Sequence, residues 1–183
     1  FGVASERIIY MGTLSKAYGA IGGFVAASPP IIAVLRLLCP THGFTSTLPP
    51  DQVLAVETAM DIVADEPDRR NRLWANQRYL LQQLSRLPCR IISSDTPIVP
   101  LAIGNDPDAI RLTLDLRERG FHVDAIKFPA VPIGGARIRL QLNAEHSFHQ
   151  IDQLVAALDD NRGLLETGCL PSASHAIPQM VRA

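Results

Sequence analysis

The sequence predicts an α/β fold, and three observations carry that expectation. From residue 88 onward, short alternating apolar runs are interleaved with runs of helical period, as in strands and helices packed in layers. Near the start, two apolar runs, Arg7–Met11 and Gly22–Ser28, bracket a loop of small residues. The chain has 183 residues, 47% of them hydrophobic and 19% charged, which suffices to bury a core without a disulfide or metal staple.

Each element follows in order. Arg7–Met11 carries Ile8, Ile9 and Tyr10 and reads as a short buried strand, followed at once by the loop Gly12–Gly19. Gly22–Ser28 reads as a second strand entered through glycines. Pro29-Pro30 opens a helix to about Cys39, because proline is tolerated in a first helical turn. Pro40-Thr41-His42-Gly43 breaks it. Pro49-Pro50-Asp51 starts the next helix, with Val53, Val56, Met60 and Val63 on one face, until Glu66-Pro67-Asp68 interrupts it. A longer amphipathic helix then runs to Leu87, its Leu73, Leu80, Leu81, Leu84 and Leu87 following the helical period. Arg90–Ser93 and Ile98–Ile103 read as strands. Asp106-Pro107 caps a helix that stops at Gly120.

Phe121–Ile126 and Arg137–Asn143 are further strands. In the second, Ile138, Leu140 and Leu142 alternate with Arg137, Arg139, Gln141 and Asn143, so one face is core and the other polar. Ser147-Phe148-His149-Gln150 is a capping-box start for a helix carrying Ile151, Leu154, Val155 and Leu158. After Asn161-Arg162-Gly163 the pattern fades, and the tail to Ala183 is expected to be poorly ordered.

Composition narrows the function classes. Seventeen Lys and Arg against eighteen Asp and Glu give a net charge of −1, which argues against nucleic acid as the main partner. Cys39, Cys89 and Cys169 form no CxxC pair and no even framework, so a reducing, cytoplasmic compartment is expected. No apolar run approaches the ~20 residues of a crossing helix, and no membrane span is expected. The five histidines show no metal-ligand spacing, so no metal is expected; helix-cap or surface roles are expected for His146 and His149. The first residue is Phe1 and no leader pattern follows it, so a processed product or part of a longer reading frame is expected.

Lysine usage is the most unusual statistic: Lys16 and Lys127 stand against fifteen arginines. Lys16 follows a strand and sits among Gly12, Gly19, Gly22 and Gly23, which allow close backbone approach to a ligand. A lysine amine is a poor nucleophile until it is desolvated or placed beside positive charge, and a strand-end loop of small residues provides such a place. Thr13 and Ser15 add hydroxyls suited to a phosphate. An ordinary surface lysine in a glycine-rich turn is the competing reading of these residues alone.

Met11-Gly12-Thr13-Leu14-Ser15-Lys16-Ala17-Tyr18-Gly19-Ala20-Ile21-Gly22-Gly23 resembles the Schiff-base lysine segment of the α-oxoamine synthases, pyridoxal-phosphate enzymes of the aspartate-aminotransferase fold. Phe44-Thr45-Ser46-Thr47-Leu48-Pro49-Pro50 is similar to their aromatic-hydroxyl turn. Val131–Leu140, followed by Asn143-Ala144-Glu145-His146, resembles their C-terminal substrate-binding strand. The resemblance covers about residues 7 to 160.

The resemblance implies a partial aspartate-aminotransferase-like fold. The end of the large cofactor-binding domain would occupy residues 1–50, linking helices 51–87, a complete small α+β domain 88–161 and a tail 162–183. It also implies pyridoxal 5'-phosphate held covalently by Lys16, which would then act as acid and base at the substrate α-carbon. Thr13 would bond the cofactor phosphate. Thr45 and Ser46 would reach the phosphate in the neighbouring subunit of a homodimer, and Arg139 would pair with the amino-acid carboxylate, a task suited to a planar donor fork.

Arg137, on the same strand face, is expected to be structural. Lys127, in Lys127-Phe128-Pro129, stands where many members carry a further arginine near the substrate carboxylate; a lysine paired at a domain surface is its other reading. The implied substrates are an amino acid and an acyl-CoA or acyl-carrier-protein thioester, condensed with decarboxylation to an α-amino ketone. The family's ring-stacking histidine, its ring-nitrogen aspartate and most of its thioester site are expected in a preceding half that fifteen residues before Lys16 do not contain. Two alternatives stay open: a pyridoxal-phosphate aminotransferase, and a truncated or partner-dependent inactive subunit.

Overall fold

The computed structural model describes residues 5–168, which fall into two compact units divided between Pro67 and Asp68, a point inside the expected linking helices. In the first unit, a 3-10 turn at Ser5–Arg7 leads to β1 (Tyr10–Thr13), which pairs antiparallel with β2 (Gly23–Ala26), Tyr10 opposite Ala26 and Thr13 opposite Gly23. β1 starts later than the sequence predicts, because β2 ends opposite Tyr10 and offers Ile8 and Ile9 no partner. Helices α1 (Pro29–Leu38), α2 (Pro40–Gly43) and α3 (Pro50–Asp65) follow.

Two expectations are corrected in this unit. Pro40-Thr41-His42-Gly43 is a helical turn rather than only a break: Pro40 occupies a first-turn position that needs no N–H, and the Phe44 N–H returns to the Pro40 carbonyl at 2.9 Å. The first strand, expected to be buried, is exposed, and so is most of the apolar face of α3. Ile9, Tyr10, Met11, Val53 and Met60 are each at least half exposed, and no residue of α1, α2 or α3 is buried. Among the described residues of this unit, only Leu14 and Ala20 are buried.

The second unit has a core of its own. Helix α4 (Pro67–Leu84) precedes β3 (Arg90–Ile91) and β4 (Ile98–Gly104); α5 (Asp106–Glu118) leads to β5 (Asp124–Ile126), and β6 (Ala136–Gln141) to α6 (Phe148–Asp160) and α7 (Arg162–Thr167). The sheet order is β3-β4-β6-β5, with every neighbour antiparallel. Val99, Leu101 and Ile103 of β4 and Ile138 and Leu140 of β6 form one apolar cluster with Leu80, Leu84, Leu112, Leu116, Leu158 and Leu165, all at most 2% exposed. Leu73, Leu81 and Leu87 lie partly buried against it, so the α4 periodicity points to the core as expected.

Local chemistry sets the boundaries. The N-cap of α5 is Asn105, one residue before the expected Asp106: its side chain accepts from Asp108 N at 2.9 Å, and Asp106 instead places its charge in the first turn, where the helix dipole favours it. Gly120 follows the helix at φ +90, a conformation that L side chains rarely adopt. Ser147 and Gln150 form the expected reciprocal box, with Gln150 N donating to Ser147 Oγ at 3.2 Å and Ser147 N to Gln150 Oε1 at 2.9 Å. The tail expectation is corrected over residues 162–167, which form α7. Leu165 is fully buried there, in an element of six residues too short to show a period. Residues 169–183 lie outside the described residues.

Buried amides fasten α4 to the loops. Asn76 Nδ2 donates to the carbonyls of Asn143 and His146 at 3.0 and 2.8 Å, and Gln77 Nε2 to that of Ser94 at 2.6 Å. Tyr79 links α4 to α6, its hydroxyl donating to Asp152 Oδ1 at 2.7 Å and its ring stacking on Phe148 at 4.2 Å. The Asp152 carboxylate, followed by desolvation, holds the Tyr79 phenol above its ordinary value of 10.0. Among the described residues no helix is long and apolar enough to cross a membrane.

Two outcomes are expected. Leu84→Ala should cost about 2–5 kcal/mol in urea unfolding of the second unit, whereas Val53→Ala, half exposed in the first, should change stability by no more than about 0.5 kcal/mol. A raised phenol value means that the folded state favours neutral Tyr79, so this contribution is full below pH 10.0 and is lost as pH rises through the elevated folded value. Asp152→Asn should bring the Tyr79 midpoint down towards 10.0 in an ultraviolet difference titration.

Candidate active site

Lys16 stands on the loop that joins β1 to β2, and backbone bonds shape that loop. Leu14 N donates to Gly22 O at 3.0 Å, Ala20 N to Leu14 O at 3.0 Å, and Gly19 N to Lys16 O at 3.1 Å. Gly19 and Gly22 take φ +60 and +94, which let the chain turn twice within the loop. With Leu14 and Ala20 buried at its base, the loop holds Ser15, Lys16 and Ala17 exposed at its tip.

Thr13, the predicted phosphate-binding hydroxyl, ends β1 at the entry to this loop. Thr13 Oγ1 lies 2.8 Å from Ser15 Oγ and accepts the Ser15 N–H at 3.2 Å. Thr45 and Ser46 are exposed in the segment between α2 and α3, and that segment is tied to the lysine loop of the same chain. Leu48 packs so closely over Gly22 that a Cβ there would sit 2.7 Å from Leu48 Cδ2, and Ile21 N donates to Gln52 Oε1 at 3.4 Å. Leu48 and Gln52, which the motif reading did not single out for this, therefore couple the two motifs. A leucine and a glutamine at a helix entrance carry no signal of such a role.

Arg139 and Lys127 belong to the second unit. Arg139 projects from β6 on the face opposite Ile138 and Leu140, and its Nη2 donates to Asp124 Oδ2 at 2.6 Å. Asp124, on β5 directly across from Arg139, was not legible as its partner without the strand register. Arg137 Nε donates to Gly135 O at 3.0 Å, so this arginine is engaged in its own entry turn. Lys127 is exposed just beyond β5 and is in no ion pair among the described residues.

A cleft of about 470 Å³ opens between the α5–β5 connection, the end of β6 and α6, lined in part by His122, His146 and Leu154. It includes none of Thr13, Lys16, Thr45, Ser46, Lys127 or Arg139. The His146 ring serves its own loop, Nδ1 accepting the Asn143 N–H at 3.2 Å.

In the first unit the donors fit pyridoxal phosphate in kind, since a primary amine suits an aldehyde and hydroxyls suit a phosphate; in the second, taken by itself, a guanidinium on a strand suits a carboxylate.

The chain belongs to the aminotransferase class I and II family, which residues 2–158 match. This is a pyridoxal-phosphate family, and within it the likeness is to α-oxoamine synthases. The chain is 43% identical over 153 residues to the 8-amino-7-oxononanoate synthase of Nitrosomonas europaea, covering 84% of this chain and 40% of that protein. It resembles the Sphingomonas wittichii serine palmitoyltransferase with a TM-score of 0.78 and 31% identity, over 86% of this chain and 41% of that one. A serine palmitoyltransferase solved with pyridoxal phosphate gives 0.79 at 29% identity, over 86% and 40%. The fold is accordingly aminotransferase-like, and the chain spans about 40% of the length of the curated relatives it matches.

Gly22→Ala should disturb the lysine loop, because the new methyl meets Leu48 and the positive φ is strained. Amide exchange at Leu14 and Ala20 should accelerate about tenfold or more, the equivalent of one unfavourable left-handed residue. Unchanged protection would show that Gly22 does not set the loop.

Proposed function

We propose that this chain carries the lysine and carboxylate-recognising parts of a pyridoxal-phosphate-dependent C-acyltransferase of the α-oxoamine synthase class. The reaction joins an amino acid to an acyl-CoA or acyl-carrier-protein thioester, releasing thiol and carbon dioxide and leaving an α-amino ketone. The observation that carries the reading is Lys16 at the exposed tip of a hairpin loop that also holds the paired Thr13 and Ser15 hydroxyls, in a chain similar to an 8-amino-7-oxononanoate synthase and a serine palmitoyltransferase.

Bound pyridoxal phosphate supplies an electron sink for negative charge at the substrate α-carbon. Lys16 anchors it through its amine and, once released, takes and returns the α-proton. Thr13 donates to the phosphate, and Thr45 and Ser46 donate from the neighbouring copy of a homodimer. Arg139 orients the amino acid by its carboxylate, and Lys127 adds a second positive charge at the rim of that site.

The exposed apolar residues of the first unit, Tyr10, Met11 and Phe24 among them, support burial against further polypeptide and the second copy in the working enzyme. Cytoplasmic placement accords with the cysteine pattern. The family description itself favours a second reading, an aminotransferase, in which the same lysine and arginine serve amino-group exchange.

Borohydride reduction with added pyridoxal phosphate, followed by peptide mapping, tests the assignment. A reduced adduct on Lys16 that disappears in Lys16→Ala is the expected result; an equal adduct in the variant, or labelling spread over exposed amines, overturns it. Incubation of the loaded enzyme with amino acid then separates the two chemistries, since only an aminotransferase accumulates pyridoxamine phosphate.

A further inference from the structure

We infer that Asp124 is a positioning residue for Arg139, fixing its guanidinium so that the remaining Nη donors face an incoming amino-acid carboxylate. The inference rests on the carboxylate reading of Arg139 and adds a residue to it. Three observations converge.

The strand register sets Asp124 directly opposite Arg139, so the two side chains leave the same face of the sheet as cross-strand neighbours. On the other side of Arg139 the register places Pro100, which brings no charge and no backbone N–H. Asp124 is thus the one charged cross-strand neighbour of this arginine, and it engages Nη2 alone, at 2.6 Å.

Arg139 Nε is buried and has no hydrogen-bond partner among the described residues. A guanidinium placed for its own stability would satisfy that edge first, since buried donors are nearly always paired. Here the plane is turned so that Nε faces inward unpaired while the pair with Asp124 remains part exposed, 40% for Arg139 and 47% for Asp124. Part-exposed ion pairs contribute little to stability, so orientation is the better account of this one. An arginine side chain otherwise surrenders considerable rotamer freedom when it grips a ligand, and a partner that orders it beforehand removes that cost.

Arg137 and Arg139 alternate with core residues on the same strand, yet they are treated differently. Arg137 turns back to a backbone carbonyl, whereas Arg139 is held by a carboxylate that takes one Nη donor and leaves the other Nη donors unengaged by it.

The test uses the full chain, labelled with nitrogen-15 at arginine, and reads the Arg139 Nη–H resonances, the group that Asp124 engages. Asp124→Ala should accelerate their hydrogen exchange about tenfold, as expected for loss of a charge-assisted bond, and should weaken L-alanine binding about three- to tenfold. Asp124→Asn keeps an acceptor oxygen in place and should restore both to within about threefold of the parent. Exchange unchanged in Asp124→Ala would overturn the inference. So would tighter L-alanine binding, because Asp124 would then be competing with the substrate carboxylate. Arg139→Lys separates the underlying reading: if L-alanine binds it as well as the parent, the carboxylate assignment fails, whereas the exchange measurement still reports on the Asp124 contact.

Discussion

Strand β6 is hydrogen-bonded on both sides, to β4 and to β5, and this double pairing decides which of its side chains enter the core. The period of two then does the rest: Ala136, Ile138 and Leu140 go to the helices, Arg137 and Arg139 to the opposite face. A one-residue slip would expel the apolar set and bury two guanidinium groups, so the register is held by the whole apolar cluster. Leu80 and Leu84 of α4, Leu112 and Leu116 of α5, Leu158 of α6 and Leu165 of α7 all converge on it. The position of the arginine read here as the carboxylate anchor is therefore enforced from behind, by residues that touch no substrate.

The lysine loop is built on a different principle. Its shape comes from backbone bonds that it makes to itself, with two small buried side chains at its base and a leucine from the following segment over one glycine. Such a loop presents a side chain without needing a thick core beneath it.

Where local chemistry decides the structure, the sequence was readable. The capping box at Ser147, the glycine after α5, the alternation of β6 and the leucine period of α4 are each determined by a few adjacent residues, and each has the expected place. Where distant partners decide, it was not. The late start of β1 depends on where β2 ends, and the helical register of Leu165 depends on a core assembled elsewhere. The lysine, hydroxyl and arginine motifs could be found from residue type and order. The ties between them, Leu48 over Gly22, Gln52 to Ile21 and Asp124 to Arg139, are products of tertiary placement and have no local signature.

The two outer strands of the second sheet are brief: β3 has two residues and β5 three. A row of unpaired backbone groups that short gives a foreign strand almost nothing to zip against, and Lys127 and Pro129 stand just past the end of β5 as further deterrents. The ribbon of the first unit has four residues in each strand, with apolar side chains in the open. The two sheets thus differ in what they ask of a neighbour: the short edges of the second offer little to a foreign strand, whereas the hairpin of the first presents apolar side chains that further polypeptide would cover.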